Sequence, residues 1–161
     1  MLQSFAAVLI GYMAAKGVDI RVLGPDRLKR GTPAGFNVEI RNATTAKLQI
    51  ASNRRDLRLE FRDEHHRPVG DIDFIGNIRL SLPTARDIRS INKSDKIEIT
   101  IPIHTSQQML VKPGHYEVRC VLLPITELSR ASLRQSGYLI RPVPELWTSG
   151  AASPWHALDI E

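Results

Sequence analysis

From Val18 onward, apolar side chains occupy every second position over several short stretches, as in strands buried on one face. Val18, Ile20 and Val22 alternate with Asp19 and Arg21, and Phe36, Val38 and Ile40 alternate with Asn37, Glu39 and Arg41. Leu48 and Ile50 follow, then Leu57, Leu59 and Phe61 interleaved with Arg58, Glu60 and Arg62. Ile97, Ile99, Ile101 and Ile103 form the cleanest stripe, with Glu98 and Thr100 on its outer side. Tyr116, Val118, Cys120 and Leu122 stand opposite His115, Glu117 and Arg119, and Leu158 and Ile160 flank Asp159. These are seven strand candidates, and residues 69–74 offer another.

Turn chemistry separates the runs. Gly24-Pro25-Asp26 and Gly31-Thr32-Pro33 bracket a basic loop, Asn42 closes the second run, and Pro113-Gly114 precedes the sixth. Glycine supplies positive φ, proline fixes φ, and asparagine tolerates left-handed geometry. Parallel strands would need crossover helices of about a dozen residues. The chain offers a single helical candidate, residues 126–134, with Thr126 as its cap and Leu128 and Leu133 as its apolar residues. The pattern therefore predicts an all-β, two-sheet antiparallel sandwich of seven or eight strands with one short helical insertion. Residues 70–91 read as a long crossover, and residues 124–154 as an excursion before the last strand.

The stretch Phe36-Asn37-Val38-Glu39-Ile40-Arg41-Asn42 with Leu48 and Ile50 resembles the second and third strands of bacterial immunoglobulin-like domains. Pro113-Gly114-His115-Tyr116-Glu117-Val118 resembles their penultimate strand, and Trp147, Gly150 and Ser153 ahead of Leu158-Asp159-Ile160 resemble their closing stretch. This likeness covers residues 18–161 and implies an immunoglobulin-like fold with Greek-key connections. More narrowly, Phe36-Asn37 through Asp63-Glu64-His65-His66-Arg67 is similar to the intracellular proteinase inhibitor family named BsuPI. That similarity implies protease inhibition, for which residues 72–94 would supply the inhibitory loop. The matched positions are also turn and core positions that any such sandwich needs, and fold does not carry function.

Length and composition narrow the picture further. The 161 residues suit one domain, and 42% apolar with 24% charged residues argues against wholesale disorder. One cysteine excludes a disulfide framework and any cysteine-based zinc site. Residues 5–15 are apolar or small, too short a run to span about 30 Å of hydrocarbon as a helix. With Ala15-Lys16-Gly17 they resemble the core and cleavage site of a secretory signal, although Met1 to Ser4 holds no basic residue. Residues 1–17 are thus expected to be either an export signal or an N-terminal helix. Export to the periplasm or cell exterior is the expectation, and a cytoplasmic location the alternative.

Candidate chemistry is sparse. The chain holds no Gly-x-Ser-x-Gly elbow, no His-Glu-x-x-His, no Walker loop and no Gly-x-Gly-x-x-Gly. Asp63-Glu64-His65-His66 is the one place where histidines adjoin carboxylates in sequence, and it reads as a solvated hairpin tip rather than a metal site. His104, His115 and His156 read as solvent-facing or strand-end residues. Cys120 shares a strand face with Tyr116, Val118 and Leu122, and a small buried thiol behaves as a hydrophobe.

The 22 Lys and Arg against 17 Asp and Glu give a net charge of +5 and a pI near 9.7. Arg54, Arg55, Arg58 and Arg62 surround one strand, and Arg27, Lys29 and Arg30 sit in the first loop. Charge interleaved with Asp56 and Glu60 reads as a solvated sheet face. Trp147 and Trp155 lie far along the chain, so no aromatic platform accompanies the arginines, which argues against nucleic acid as a partner. The tryptophans and Tyr138 read as plugs over an edge or end of the sandwich, with stacking against sugar rings or a partner surface as the alternative. Two glycosylation-type triplets, Asn42-Ala43-Thr44 and Asn92-Lys93-Ser94, are also present.

No catalytic, metal or cofactor residue is expected. The sequence points to a non-catalytic interaction or structural module whose partner is a protein or cell-envelope material. Loops 24–31, 53–56 and 65–68, taken to lie at one end of the sandwich, are the candidate contacts. A proteinase inhibitor and a weak polyanion-binding module are the alternatives.

Overall fold

The computed structural model describes residues 17–30, 32–52, 56–71, 82–104, 112–138 and 146–161. Each of the seven alternating runs forms a strand: β1 (Val18–Gly24), β3 (Pro33–Asn42), β4 (Leu48–Ala51), β5 (Leu57–Asp63), β8 (Lys96–His104), β9 (Gly114–Leu122) and β11 (His156–Ile160). Four shorter strands join them: β2 (Arg27–Leu28), β6 (Pro68–Asp71), β7 (Ile88–Ile91) and β10 (Ala151–Ala152). The helix α1 runs Glu127–Gln135, and the Thr126 hydroxyl caps it by accepting from the Ser129 backbone N–H. Leu133 of α1 is buried while Leu128 is exposed.

One sheet has the order β1-β3-β8, and the other β2-β11-β9-β5-β6 with β10 on β9. A third, two-stranded ladder joins β4 and β7. Their inner faces meet where the alternation predicts. Ile20, Phe36, Val38 and Ile40 from the first sheet and Leu59, Phe61, Val118, Cys120 and Leu158 from the second are at most 1% exposed. Phe36 and Phe61 touch edge to face across the layers, their ring centroids 5.9 Å apart. The fold is an immunoglobulin-like sandwich.

All pairings between the long strands are antiparallel, as expected. The exception is the two-residue strand β2, which lies parallel to the end of β11. β1 pairs with β3 in the first sheet, and the chain then crosses at the cis Gly24-Pro25 bond to place β2 in the second. The first basic loop is therefore a side edge of the sandwich for most of its length.

A further expectation changes. Arg119 and Val121 lie on the outer side of β9 and are nonetheless buried, so this strand loses its alternation from Val118 onward. Covering segments from residues 146–161 explain this. β10 pairs with Val121 and Leu122, and Trp155 lies over Arg119. Residues 1–16 and 72–81 lie outside the described residues, so neither the signal-like segment nor the first part of the expected inhibitory loop is placed.

The excursion works as a strap. The Trp147 backbone N–H donates to the Gln49 carbonyl at 2.7 Å, and Leu146 bridges to Gln49, so the exposed side of β4 is covered. The Tyr138 hydroxyl donates to the Gln49 side chain. Trp147 also packs on the core and against Gly17, where a Cβ would come within 2.9 Å of the indole and of the Thr44 methyl. Gly17 has φ +131°, a second reason for glycine there.

Candidate functional site

Strand register sorts the loops into two ends. β5 pairs Leu57 with Leu122 and Asp63 with Tyr116, so the residues before Leu57 and those after Asp63 stand at opposite ends of one seven-residue strand. That separates them by about 20 Å. The candidate loops 53–56 and 65–68 therefore do not share an end, and residues 53–55 lie outside the described set. Of the first loop, residues 24–28 line the side edge, and only Lys29 onward reaches the end that holds the 63–67 turn. The short link from β2 to β3 joins the end of β11 to the start of β3. The same end gathers Lys112 and Pro113, the start of β9 and the end of β8.

A single carboxylate organises the 63–67 turn. Asp63 Oδ1 accepts the backbone N–H groups of His65 and Arg67, each at 2.9 Å, and Oδ2 accepts from Arg67 Nε at 2.9 Å. The Arg67 backbone donor, followed by the Arg67 guanidinium and the His65 backbone N–H, holds the Asp63 carboxyl below the ordinary range. His66 has φ 59°, closing the turn in left-handed geometry. Glu64, His65, His66 and Arg67 all project into solvent.

Histidines and carboxylates meet repeatedly in this part of the molecule. His66 Nδ1 lies 3.0 Å from Glu117 Oε2, His115 Nδ1 lies 2.6 Å from Asp159 Oδ1, and His65 Nε2 lies 3.7 Å from Glu64. His156, on the side edge, meets Asp26 at 2.8 Å. Sequence adjacency reveals only the His65–Glu64 contact; the fold brings together the other three. Among the described residues no group of three or more His, Cys, Asp or Glu could hold a metal ion.

The outer face of β5 and β9 differs from expectation. Arg58, Glu60 and Arg62 share that face, as the alternation predicts, but Trp155 is not remote from them. The guanidinium carbons of Arg62 and Arg119 lie 4.2 and 4.6 Å from its ring centroid. Arg119 donates from Nε and Nη2 to Glu60 Oε2 at 2.8 and 2.6 Å, and Arg62 donates to Glu117. The Arg62 donor, and after it His66, holds the Glu117 carboxyl below its usual range against the opposing effect of burial.

The missed signal was register. β11 pairs His156 with Val118, which sets the preceding residue beside Arg119. An aromatic ring therefore accompanies these arginines, which are committed to Glu60 and Glu117. Arg119 is 9% exposed at its side chain, so this face is a packed layer rather than an open cationic groove.

Cys120 is fully buried, and burial followed by the charge of Glu60 pushes its thiol up to about 12. A thiol so placed does not supply a thiolate nucleophile. Of the two glycosylation-type triplets, Asn42 is unavailable in the folded chain because its amide is fully buried, while Asn92 is exposed.

No protein-family model and no curated relative matches the chain. Among solved structures, the CARDB domain of the PF1109 protein from Pyrococcus furiosus, in complex with di-metal ions, is similar at a TM-score of 0.42 and 8% identity. That match covers 92% of this chain and 91% of that one. The alkylpurine DNA glycosylase AlkC of Pseudomonas fluorescens, bound to DNA containing an abasic site analog, is similar at 0.44 and 13% identity. It spans 97% of this chain but 33% of the glycosylase. AvmM, which catalyses macrocyclization in alchivemycin A biosynthesis, reaches 0.43 at 10% identity over 91% of this chain and 89% of AvmM.

Proposed function

We propose that this chain is a non-catalytic interaction module, exported from the cytoplasm, that binds a protein or cell-envelope partner through one end of its sandwich. The supporting observation is the build of that end: Lys29, Arg30, the 64–67 turn, Lys112 and His115 are exposed, and the turn is held rigid by Asp63. Rigid display of polar groups on loops suits recognition. The buried Cys120 thiol disfavours cysteine-based covalent chemistry.

A photo-crosslinking residue at position 30, 65 or 112 should capture a partner from cells, whereas one at position 93, on the opposite end, should not. Equal capture from position 93 would overturn the assignment of the end. N-terminal sequencing of the mature protein tests export: a chain beginning near Val18 supports it, and an intact Met1 refutes it. The inhibitor reading gains no support from residues 82–94. They form a 3-10 turn (Ala85–Asp87) and then β7, hydrogen-bonded to β4, rather than a free extended loop. Absence of inhibition across a protease panel at micromolar concentration would set that reading aside.

A further inference from the structure

We infer that the end opposite the 63–67 turn is a docking face for an anionic bilayer, built from cations that the fold leaves without carboxylate partners. Lys47, Arg86, Arg89, Lys93 and Arg134 are all exposed, and among the described residues none of their side chains takes part in an ion pair. The sheet faces are different: there Arg62 is held by Glu117, Arg119 by Glu60 and Lys96 by Glu39. The inference goes beyond the interaction-module reading and does not depend on it.

Register gathers these cations. Leu48 pairs with Ile91 at one end of the β4–β7 ladder, which draws the flanking Lys47 and Lys93 together. Asn42 fixes the turns that carry them by donating to the Ala46 and Asn92 carbonyls. Arg89 stands opposite Ile50 further along. Arg86 belongs to the 3-10 turn that leads into β7, beside the Ala51–Ile88 pair, about 10 Å from the start of the ladder. There the Ala85 backbone N–H donates to Ser136 Oγ at 2.9 Å, which brings in the last turn of α1 and with it Arg134. The carboxylates nearby are occupied or buried. Asp87 accepts from Thr84, Asp95 from the Lys96 backbone N–H, Glu127 lies 3.4 Å from Arg130, and Asp56 is buried. Positive charge thus reaches solvent over a broad face, and each exposed lysine or arginine adds attraction to anionic headgroups.

Apolar features distinguish a bilayer from a soluble polyanion. Leu128 is 63% exposed, on the side of α1 away from the buried Ser129 and Leu133, and about 9 Å along the helix from Arg134. An aliphatic side chain among cations suits the boundary between headgroups and acyl chains. Gly17 joins the domain at this same end, its carbonyl accepting from the Ala43 N–H at 2.9 Å, and in the sequence an apolar or small run, residues 5–15, precedes it. A weak apolar anchor becomes effective when a cationic patch accompanies it. The face itself is complete without that run. Tyr138 and Trp147 are half-buried against Gln49 and Gly17, so bases find no open ring to stack on.

The test is co-sedimentation of the full chain with phosphatidylcholine vesicles, with or without about 30% phosphatidylglycerol. At about 50 mM salt, binding to the anionic vesicles should be at least about tenfold tighter than to the neutral ones, and it should fall at least about tenfold by about 300 mM. K47Q/R86Q/R89Q/K93Q/R134Q should bring the affinity to within about twofold of the neutral level, whereas R21Q/R27Q, on the side of the sandwich, should keep it. L128Q should weaken vesicle binding about threefold or more and leave heparin binding unchanged. A thermal melt confirms that the variants fold, and the salt dependence needs no variant. Equal binding to both vesicle types, indifference to salt, undiminished affinity in the five-site variant, or loss in R21Q/R27Q would each overturn the inference. So would tighter binding to heparin or to an oligonucleotide with no effect of L128Q on vesicles, which would mean a soluble polyanion. A crosslinker at position 93 would meet lipid rather than a protein, so the crosslinking outcomes at positions 30, 65 and 112 are decided separately.

Discussion

Two turns at opposite ends of the sandwich are each organised by one short side chain, and they are built from opposite materials. After β3, Asn42 is fully buried. Its amide donates to the carbonyls of Ala46, Ile91 and Asn92 at 2.7, 3.0 and 3.2 Å, and its oxygen accepts from the backbone and hydroxyl of Thr44 at 2.8 and 2.6 Å. After β5, Asp63 does the same kind of work with a charge, in a turn whose other residues are exposed. The neutral turn ties the 44–46 loop to residues 91–92, while the charged turn fixes only its own shape. One end is thereby devoted to cohesion, and the other is left free to present side chains.

The largest expected break lies at the buried turn. Asn42→Ala leaves the Ile91 carbonyl and its neighbours without their donor, and should cost about 3 kcal/mol in a denaturant or thermal melt. Trp155→Ala removes a half-buried ring and two guanidinium stacks, with an expected loss of about 2 kcal/mol. An effect near zero would show that the layer over β5 and β9 is decorative.

Asp63→Asn should destabilise less, and its effect should depend on pH. Because folding lowers the Asp63 pKa, its contribution is complete above the ordinary aspartate value near 3.9 and disappears as pH falls through the lower folded value. The melting-temperature gap between the wild type and Asp63→Asn should therefore close on acidification from pH 6 toward pH 2.5. The gap for Asn42→Ala should persist over the same range. Smallest of all is Cys120: the native protein at pH 8 should not react with an aromatic disulfide reagent, and the thiol should react only after unfolding.

Much of the fold was legible because burial on one face leaves a two-residue period that local sequence preserves. Val18 to Val22 and Phe36 to Ile40 show it plainly, as does the cap at Thr126. What the period does not encode is which strand lies beside which. Trp155 looks remote from Arg62 until β11 is registered on β9, and the His115–Asp159 contact is invisible for the same reason. The short strand β2 carries too few residues for any period at all. The grouping of loops 53–56 and 65–68 was a different kind of miss, since a single alternating run separates them and so places them at its two ends.

The crossing from β1 to β2 has a mechanical consequence. β1 enters at the Asn42 end, and β11, lying parallel to β2, finishes at the Asp63 end. Tethers attached ahead of Val18 and beyond Glu161 would leave from opposite poles. Tension between them would slide β2 along β11 and load their contacts together, including the Arg30 and Glu161 backbone hydrogen bonds. The geometry favours resistance to pulling over peeling apart one bond at a time.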